Sequence, residues 1–282
     1  MLWKSLVKKL SNVAYVFLRL HAYLPARHTS RTVPKTNFLI VTIAFNNKDI
    51  LETQYSYLQE NLEDTFDYCI ADNSSDKNKA EGIKQFCTKN NISYIKIPAN
   101  PLTGVRASGS HGVALNWVYR NIIKKYKPTY FGFLDHDIFP LEKTNIIRKM
   151  RGGYYGIIRM RHAPYWYFWP GFSFFEYDKF KKYCFDFAPY HAGKNGLTFL
   201  DTGGANYYTI SRKIDRSVLA EAASTLIDLS TGKEWIRGTD TRRTFELIDK
   251  SWLHMRQISW REESSDKMDD YQEMLRIAKE YK

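Results

Sequence analysis

The chain has 282 residues, of which 44% are hydrophobic and 16% aromatic, so it has ample material for a folded core and is not an intrinsically disordered protein. Its formal net charge of +12 favours anionic partners: a phospholipid surface, nucleic acid or phosphorylated substrates. Its three scattered cysteines lack the spacing of a metal site and indicate reduced thiols in a cytosolic protein.

The first 24 residues predict a basic amphipathic helix. Its apolar side chains recur on one stripe: Trp3, Leu6, Val7, Leu10, Val13, Ala14, Phe17 and Leu18. The chain has eight Lys or Arg residues and no acid before Asp49. The apolar runs are too short to span a bilayer, and no signal-peptide cleavage site follows them. The pattern fits an interfacial helix on an anionic membrane, a helix packed on its own domain, or a partner-binding helix. We predict that residues 1–35 are a membrane-associating segment with a polar linker.

Strands and helices alternate from residue 37 onward. Apolar or β-branched runs at 37–45, 66–75, 92–100 and 129–134 predict four strands, and residues 48–61, 78–90 and 110–125 predict the helices between them. The run NFLIVTIAF is continuous enough for a strand that is buried on both faces. This alternation predicts an α/β fold with a mostly parallel central sheet and helices on both faces.

Polar residues follow the carboxyl end of each predicted strand: Asn46, Asp72 with Asn73, Asn100, and Asp135 with Asp137. The last two belong to the stretch KPTYFGFLDHDIFP, in which a buried strand ends on two carboxylates. Alone, an Asp-x-Asp sequence also fits a solvated acidic turn. Ligands of parallel sheets bind beyond the carboxyl ends of the strands, and two acids there suit a hard divalent cation with phosphate oxygens. The convergence therefore favours a binding site.

The ordered set IVTIAFNN, IADNSS, GSHGVALNW and FLDHD resembles the nucleotide-sugar glycosyltransferases of the GT-A fold, especially family 2. The resemblance covers residues 37–140 and continues more loosely to about 255. It implies a catalytic domain over 36–260, with a nucleotide-binding half (36–140) and an acceptor-binding half (141–260), and a C-terminal helix over 261–282. It also implies that Mn²⁺ or Mg²⁺ bridges the protein and the donor diphosphate.

The resemblance also assigns roles to residues. The implied donor-binding residues are Ala44, Phe45, Asn46, Asp72, Asn73, Ser110, His111 and Asp135. The implied metal ligands are Asp135, Asp137 and His254. Gly109-Ser110-His111-Gly112 stands where the family has Ala-Arg-Asn-x-Gly. Independently of the resemblance, Arg106 precedes a predicted helix and is either a source of positive potential near phosphate or a solvated surface residue.

Two later segments are candidates for the acceptor side. Eight of the eleven residues from Tyr165 to Phe175 are aromatic, which fits sugar stacking by Trp166 and Trp169 or a core hairpin. A second segment, LTFLDTGGANYYTISR, brings Asp201 next to Gly203 and Gly204, and the resemblance places such a Gly-Gly segment near donor sugar and acceptor. Asp201 fits a sugar-binding or a turn-capping role equally well.

The stretch WIRGTDTRRTFELIDK (235–250) predicts a helix opened by Asp240. Asp240 fits an N-terminal cap on structural grounds. In the resembled family the catalytic base is part of a Glu-Asp pair at this position, and Thr239 here replaces the Glu. The resemblance therefore implies that Asp240 is the general base of an inverting transfer, with Asp201 as the next candidate.

The leading hypothesis is a metal-dependent, inverting hexosyltransferase of bacterial surface polysaccharide assembly. Its partners would be a UDP-, GDP- or dTDP-linked sugar, a lipid-linked or oligosaccharide acceptor and the inner face of the plasma membrane, with no nucleic acid. A sugar nucleotidyltransferase is an alternative, but its glycine-rich loop is absent from AFNNKDI after the first strand. A non-catalytic basic module for membrane or nucleic acid is another, but the basic excess is concentrated in the N-terminal segment, while the acids cluster at strand ends.

Overall fold

A computed structural model describes residues 10, 12–15, 17–26, 28–30, 37–193, 196–236, 244–256 and 266–281. Its strands are β1 His28–Ser30, β2 Phe38–Ala44, β3 Asp67–Asp72, β4 Ser93–Lys96, β5 Tyr130–Leu134, β6 Ile138–Pro140, β7 Tyr154–His162, β8 Tyr165–Glu176, β9 Tyr190–Ala192, β10 Thr198–Leu200, β11 Ala220–Glu221, β12 Ser224–Asp228, β13 Thr244–Ile248 and β14 Trp252–His254.

The α-helices are α1 Lys48–Asn61, α2 Lys77–Lys89, α3 Ala107–Val118, α4 Lys124–Tyr126, α5 Ile146–Lys149, α6 Tyr177–Phe180, α7 Asn206–Thr209 and α8 Asp266–Glu280. A π-helical turn, Tyr119–Ile123, joins α3 to α4. Short 3₁₀ turns cover Arg19–Tyr23, Ser211–Lys213 and Arg216–Val218. The long helices predicted from the sequence at 48–61 and 78–90 are confirmed within one residue.

The central sheet has the strand order β1-β4-β3-β2-β5-β8-β7-β11. Its middle four strands, β4, β3, β2 and β5, are parallel, whereas β8 joins β5 in the antiparallel sense. Helices cover both faces. The predicted α/β fold with a mostly parallel central sheet is therefore confirmed.

Strand β2 shows why this sheet forms the centre of the core. All seven of its residues are buried. Because side chains alternate along a strand, Phe38 and Ile40 join the core on one face, while Leu39 and Val41 join the core on the other. A strand with no polar face is stable only between two covered faces, as the continuous apolar run predicted.

The caps of the helices are set by side chains that follow the strands. The side chain of Asn47 accepts a hydrogen bond from the backbone N–H of Ile50 at the start of α1. Asp76 accepts in the same way from the N–H groups of Asn78 and Lys79 at the start of α2. Such caps satisfy amides that have no partner within the helix.

The aromatic stretch forms the long hairpin β7–β8, whose second strand pairs with β5. Most of its rings are core: Tyr167, Phe168, Phe172, Phe174 and Phe175 are fully buried. The hairpin interpretation of this segment accordingly holds for most of the rings, and Trp166 and Trp169 are only partly buried.

A smaller sheet with the order β12-β13-β14-β6 packs beside the central one. It corrects the helix predicted over 235–250, because residues 244–248 form the buried strand β13. The physical reason is the period-two pattern, in which Phe245 and Leu247 point into the core and Glu246 points to the other face. Asp240, which we expected to open that helix, lies outside the described residues.

The N-terminal segment packs on α3. Residues 12–15 and 17–18 are helical. The indole N–H of Trp117 donates to the carbonyl of Leu24, and the amide of Asn121 donates to the carbonyl of Ala22. Within the described part of the chain, no helix has the length and apolar character needed to cross a bilayer.

Candidate active site

The order of the parallel strands reverses at β2. Strands β3 and β4 lie on one side of β2, and β5 lies on the other, so the chain crosses over the sheet through α3. Ligands of open α/β sheets bind at such a point, in the crevice beyond the carboxyl ends of the strands. Asp72 ends β3 and Asp135 follows β5. With neighbouring strands about 4.8 Å apart, these two ends are separated by about 10 Å.

The backbone of Asp135 is fixed by two neighbours. Its N–H donates to the carbonyl of Gly171 at 2.9 Å. Its carbonyl accepts from the side chain of Gln54 at 2.7 Å, and the same amide also donates to the carbonyl of Ile138. Gln54 is fully buried, so this turn is held by a rigid part of α1.

Gly171 approaches the carboxylate of Asp135 more closely than any larger residue could. A Cβ at this position would lie 2.6 Å from Oδ2 of Asp135 and 2.2 Å from the ring of Trp169. Glycine is therefore required by the close packing of the acid and the indole around this backbone.

His111, in the first turns of α3, faces Asp135. Its Nε2 lies 3.4 Å from Oδ1 of Asp135, and both side chains are 25% exposed. Burial raises the pKa of the Asp135 carboxyl above its ordinary value, and the imidazole of His111 opposes this shift. The two groups thus border the crevice from the β5 side and the α3 side.

Asp137 lies two residues beyond Asp135 and faces His254 of β14. Oδ1 of Asp137 is 3.7 Å from Nε2 of His254, and both side chains are nearly buried. The backbone supports this arrangement, because Met255 N–H donates to the carbonyl of Asp137. Burial acts to lower the pKa of His254, but the carboxylates of Asp137 and Glu246 outweigh it and raise that pKa.

Glu246 of β13 holds the opposite side of the His254 ring. Its Oε2 lies 2.7 Å from Nδ1 of His254, and its Oε1 accepts from Arg159 at 2.7 Å and from Ser224. Burial acts to raise the pKa of Glu246, but His254 and Arg159 outweigh it and hold the pKa well below the ordinary value. Glu246 is therefore a buried carboxylate with every oxygen paired.

Trp169 lies between two of these groups. Its ring centroid is 5.3 Å from that of His254, and the guanidinium of Arg159 lies 4.8 Å from the indole on a cation–π contact. The indole thereby restricts the orientation of both side chains. Trp169, predicted as an acceptor-stacking residue, is placed by the structure next to His254.

The donor atoms present suit a divalent cation that arrives with phosphate ligands. Among the described residues, no three His, Cys, Asp or Glu side chains are gathered as a complete metal site. Asp137 and His254 offer a carboxylate and an imidazole, which suit Mn²⁺. Cations of this class are commonly held by one or two protein ligands together with substrate phosphates. The residues fit such a shared ion.

On the other side of β2, Asp72 is fully buried and its carboxylate is occupied by protein donors. Tyr94 donates to Oδ2 at 2.7 Å, Lys96 lies 3.1 Å from the same oxygen, and the N–H of Ser74 donates to Oδ1. In this structure Asp72 positions the loop after β3. A direct contact with a nucleoside would require one of these donors to move.

Asn73 and Ser110 join the end of β3 to the start of α3. The side-chain amide of Asn73 donates to Oγ of Ser110 at 3.0 Å, and Asn100 donates to the carbonyl of Ser110 at 2.7 Å. Both Asn73 and Ser110 are buried. Their hydrogen bonds fix the crossover helix that carries His111.

Asn46 connects the loops after β2 and β3. It has a positive φ of 52°, its side chain bonds to Ser75 and to the N–H of Asp76, and its own N–H donates to Ser74. Ala44 is buried opposite Asp72, and Phe45 is partly exposed in the same loop.

A cleft of about 390 Å³ lies beside this loop, and Ser74, Lys77, Lys84, Tyr94 and Lys96 are among the residues that line it. Arg106, at the N-cap of α3, is exposed and makes no side-chain cap. The lining combines three lysines with two acids, Asp76 and Glu81, and Arg106 adds an exposed cation at the start of α3.

On the predicted acceptor side, the Gly-Gly segment packs against β8. Gly203 has a φ of 89°, and a Cβ there would lie 2.6 Å from the carbonyl oxygen of Phe168. Asp201 accepts from the N–H of Thr202, which makes it a turn-capping residue in the structure. Gly204 N–H donates to the carbonyl of Asp201 and closes the same turn.

Tyr167 and Trp166 border this turn. The hydroxyl oxygen of Tyr167 accepts from the Asp201 N–H at 3.3 Å, and burial together with the Asp201 carboxylate raises the pKa of Tyr167 to about 12. Trp166 packs edge-on against Phe168 at 5.4 Å. No contact is recorded between Trp166 and Trp169 among the described residues, so the structure does not bring the two indoles into one stack.

The sequence analysis missed three residues of this site: Gln54, Arg159 and Glu246. For Glu246 a signal existed, because a lone acid in the β-type run TFELI is costly to bury without a partner. Its partner His254 lies eight residues further along the chain in β14, whereas Arg159 comes from β7, 87 residues away in sequence. Arg159 and Gln54 carry no comparable signal.

No known protein family matches the sequence, and no curated protein matches it. Similar solved structures include the mannosyltransferase PcManGT from Pyrobaculum calidifontis with GDP-Man and Mn²⁺, which is 10% identical over 58% of this chain and 51% of its own, at TM-score 0.36. The mannosyltransferase Ktr4p from S. cerevisiae is 9% identical over 59% of this chain and 66% of its own, with a TM-score of 0.35. The galactosyltransferase LgtC with donor and acceptor sugar analogues is 13% identical over 51% of this chain and 59% of its own, with a TM-score of 0.32.

The matched part thus spans between about half and two thirds of those proteins. Likenesses this distant assign no residue and no activity to the present chain. The class that the fold and the site themselves define is an α/β protein with a carboxylate–histidine site at the reversal point of its parallel sheet.

Proposed function

We propose that the protein is a metal-dependent glycosyltransferase that moves a sugar from a nucleotide-sugar donor to a saccharide acceptor. The observation that carries this proposal is the convergence of Asp135, Asp137, His111 and His254 at the reversal point of the sheet. Two acids with flanking imidazoles at the end of a buried strand suit a cation and a diphosphate better than they suit a structural role.

The donor would lie across the carboxyl ends of the strands. Its nucleoside would occupy the side of β3, near Phe45, Asn46 and the loop that Asp72 and Asn73 position. Its diphosphate would lie about 10 Å away beside β5, a separation that two strand spacings provide. Arg106, which is exposed at the start of α3, would supply positive potential for the phosphates.

The bound cation, Mn²⁺ or Mg²⁺, would neutralise charge on the departing diphosphate. Asp137 and His254 would hold the cation, and the carboxylate of Asp135 would contact the cation and the ribose. His111 would orient the Asp135 carboxylate and donate toward phosphate oxygens. Trp169 would exclude water from the His254 side of the crevice.

An inverting transfer needs a base that takes the proton of the acceptor hydroxyl. Asp201 is the described candidate, and it is partly accessible beside Gly203 and Gly204. Asp240, the first candidate from the sequence, lies outside the described residues. The acceptor would approach from the side of β8, where Trp166 is partly exposed.

We further propose a lipid-linked acceptor at an anionic membrane surface, as in bacterial surface polysaccharide assembly on the cytoplasmic side. The N-terminal segment supports this, because its polar side packs inward and its apolar side is exposed. Asn12 exchanges two hydrogen bonds with the backbone of His191, and Arg19 pairs with buried Asp186. The outward stripe comprises Leu10, Val13, Phe17, Leu20 and Leu24, all among the exposed hydrophobic residues.

This orientation is the reverse of that expected for a helix on a water-facing surface. An exposed apolar stripe combined with eight cations and no acid before Asp49 matches an interfacial helix on anionic lipid. Tyr15, on the inward side of the same segment, packs beside Gly109, two residues before His111, so the segment lies next to the end of α3 that carries His111. A lipid-linked acceptor would therefore reach the site without leaving the surface.

The test is a panel of UDP-, GDP- and dTDP-linked sugars, each with Mn²⁺ or with EDTA, measured by thermal shift and by release of the nucleotide. We expect one nucleotide class to stabilise the protein with Mn²⁺ only, by about 2.7 kcal/mol at a hundredfold excess over Kd. Asp137→Asn should lose turnover by about 10²–10³-fold, since it removes charge stabilisation at the leaving group.

Asp178→Asn is the matched control, because Asp178 is a highly exposed acid paired only with Lys181. It should behave as the wild type. If no nucleotide binds, or if Asp137→Asn turns over donor at the normal rate, the proposed function is wrong.

A further inference from the structure

We propose that Glu246 is a positioning residue that holds His254 in its Nδ1–H form and so presents Nε2, together with Asp137, as a ligand for the divalent cation. The inference rests on the proposed function and deepens it. Glu246 is not among the metal ligands or donor-binding residues predicted from the sequence.

The chemistry of the hydrogen bond defines the tautomer. Oε2 of Glu246 lies 2.7 Å from Nδ1 of His254. An ionised carboxylate can only accept, so Nδ1 must carry the hydrogen. The remaining ring nitrogen, Nε2, is the atom 3.7 Å from Oδ1 of Asp137. A neutral ring in this tautomer would point the lone pair of Nε2 at a second anionic ligand, an arrangement that is favourable only with a cation between them.

The strand register makes this geometry rigid. Glu246 of β13 is directly opposite His254 of β14, and His254 is directly opposite Ile138 of β6, the residue after Asp137. Backbone pairing in the smaller sheet thus sets Glu246 beside His254 and places Asp137 one residue before the strand partner of His254. Groups carried by paired strands are held more precisely than groups on loops.

The second carboxylate oxygen of Glu246, Oε1, is held by other protein donors. Arg159 and Ser224 both donate to Oε1, so the carboxylate is satisfied without any further contact. Arg159 also stacks on Trp169, whose other neighbour is the His254 ring. Only 3% of the Glu246 side chain is exposed, which excludes water as a competing partner for Nδ1. Carboxylate–histidine pairs of this kind orient metal-binding imidazoles and raise their basicity.

The competing explanation is a purely structural ion-pair network, in which a protonated His254 bridges Asp137 and Glu246 and never meets a metal. The two differ in metal affinity. Mn²⁺ alone is titrated into the full chain, with free Mn²⁺ followed by electron paramagnetic resonance, for wild type, Glu246→Gln, His254→Gln and the control Glu221→Gln. Glu221 is a partly exposed acid paired with Arg216, away from the site.

We expect Glu246→Gln to weaken Mn²⁺ binding about 10- to 100-fold. Glu221→Gln should bind Mn²⁺ as the wild type does. If His254→Gln weakens binding and Glu246→Gln does not, Glu246 has no positioning role and the inference fails while the proposed function stands. If the wild type binds no Mn²⁺, either alone or with the nucleoside diphosphate of the donor that the panel identifies, both fail.

A second measurement does not depend on how the variants fold. In wild-type protein with ¹⁵N-labelled histidine, the His254 ring should show hydrogen on Nδ1, and Mn²⁺ at substoichiometric amounts should broaden its resonances before those of the histidines away from the site. Hydrogen on Nε2 alone would overturn the inference, as would a His254 signal that Mn²⁺ leaves sharp.

Discussion

Gly171 offers a direct test of how closely the site is packed. Replacing it with alanine places a Cβ 2.2 Å and 2.3 Å from two ring carbons of Trp169 and 2.6 Å from Oδ2 of Asp135. Ordinary contact begins at 3.4 Å, so the indole has to move by about 1.2 Å or the carboxylate has to rotate away. Either response disturbs the site without removing any charged group.

Two effects follow from this displacement. Overpacking of this kind costs about 1–3 kcal/mol of folding free energy, which lowers the melting temperature by roughly 2–10 °C in a chain of this size. Moving Trp169 also removes its contacts with His254 and Arg159. Because a misplacement of about 1 Å can cost about 100-fold in rate, kcat/KM for the donor should fall by about that factor.

The assay combines differential scanning calorimetry with nucleotide release from the donor that the panel identifies. Gly82→Ala is the control, because Gly82 lies inside α2 and a Cβ there would have its nearest neighbour at 3.9 Å. That substitution should leave activity unchanged and raise stability by about 0.5–1 kcal/mol. Wild-type melting and wild-type turnover in Gly171→Ala would refute the packing argument.

Two further outcomes are expected. Phe17→Ser combined with Leu20→Ser removes two exposed apolar side chains from the N-terminal stripe. Binding to vesicles containing phosphatidylglycerol should therefore weaken about tenfold or more, while the melting temperature stays unchanged. The control is Val218→Ser at another exposed apolar position, and unchanged cosedimentation of the double variant would contradict the membrane proposal. The second outcome concerns stability at alkaline pH, because the pKa of Tyr167 is raised to about 12 in the folded state. The neutral phenol contributes about 3 kcal/mol to the free energy of unfolding below about pH 10, and this contribution is lost as the pH rises toward 12. Unfolding free energies should therefore fall less steeply across that window in Tyr167→Phe than in wild type, and equal slopes would contradict this assignment.

The sequence predicted the central sheet well because its signals are local. In NFLIVTIAF every position after Asn37 is apolar or β-branched, and only a strand covered on both faces accommodates that pattern. The polar residues after each strand also predicted the position of a site, because parallel strands bring their carboxyl ends to one edge of the sheet. The sequence therefore predicted Asp135 and Asp137 at the carboxyl edge of the sheet, and the strand order shows that this edge reverses there.

The smaller sheet was predicted less well. Residues 244–248 were predicted as part of a helix opened by Asp240, although the period-two pattern of TFELI fits the strand that pairs with β12 and β14. That pairing also decides the chemistry, because it sets Glu246 opposite His254. A cross-strand partner is fixed by register, and a shift of one residue would turn Glu246 into the core and remove it from the imidazole. The proposed metal ligands could thus be suggested from the sequence, whereas the proposed positioning residue depends on the register between β13 and β14, which was not predicted.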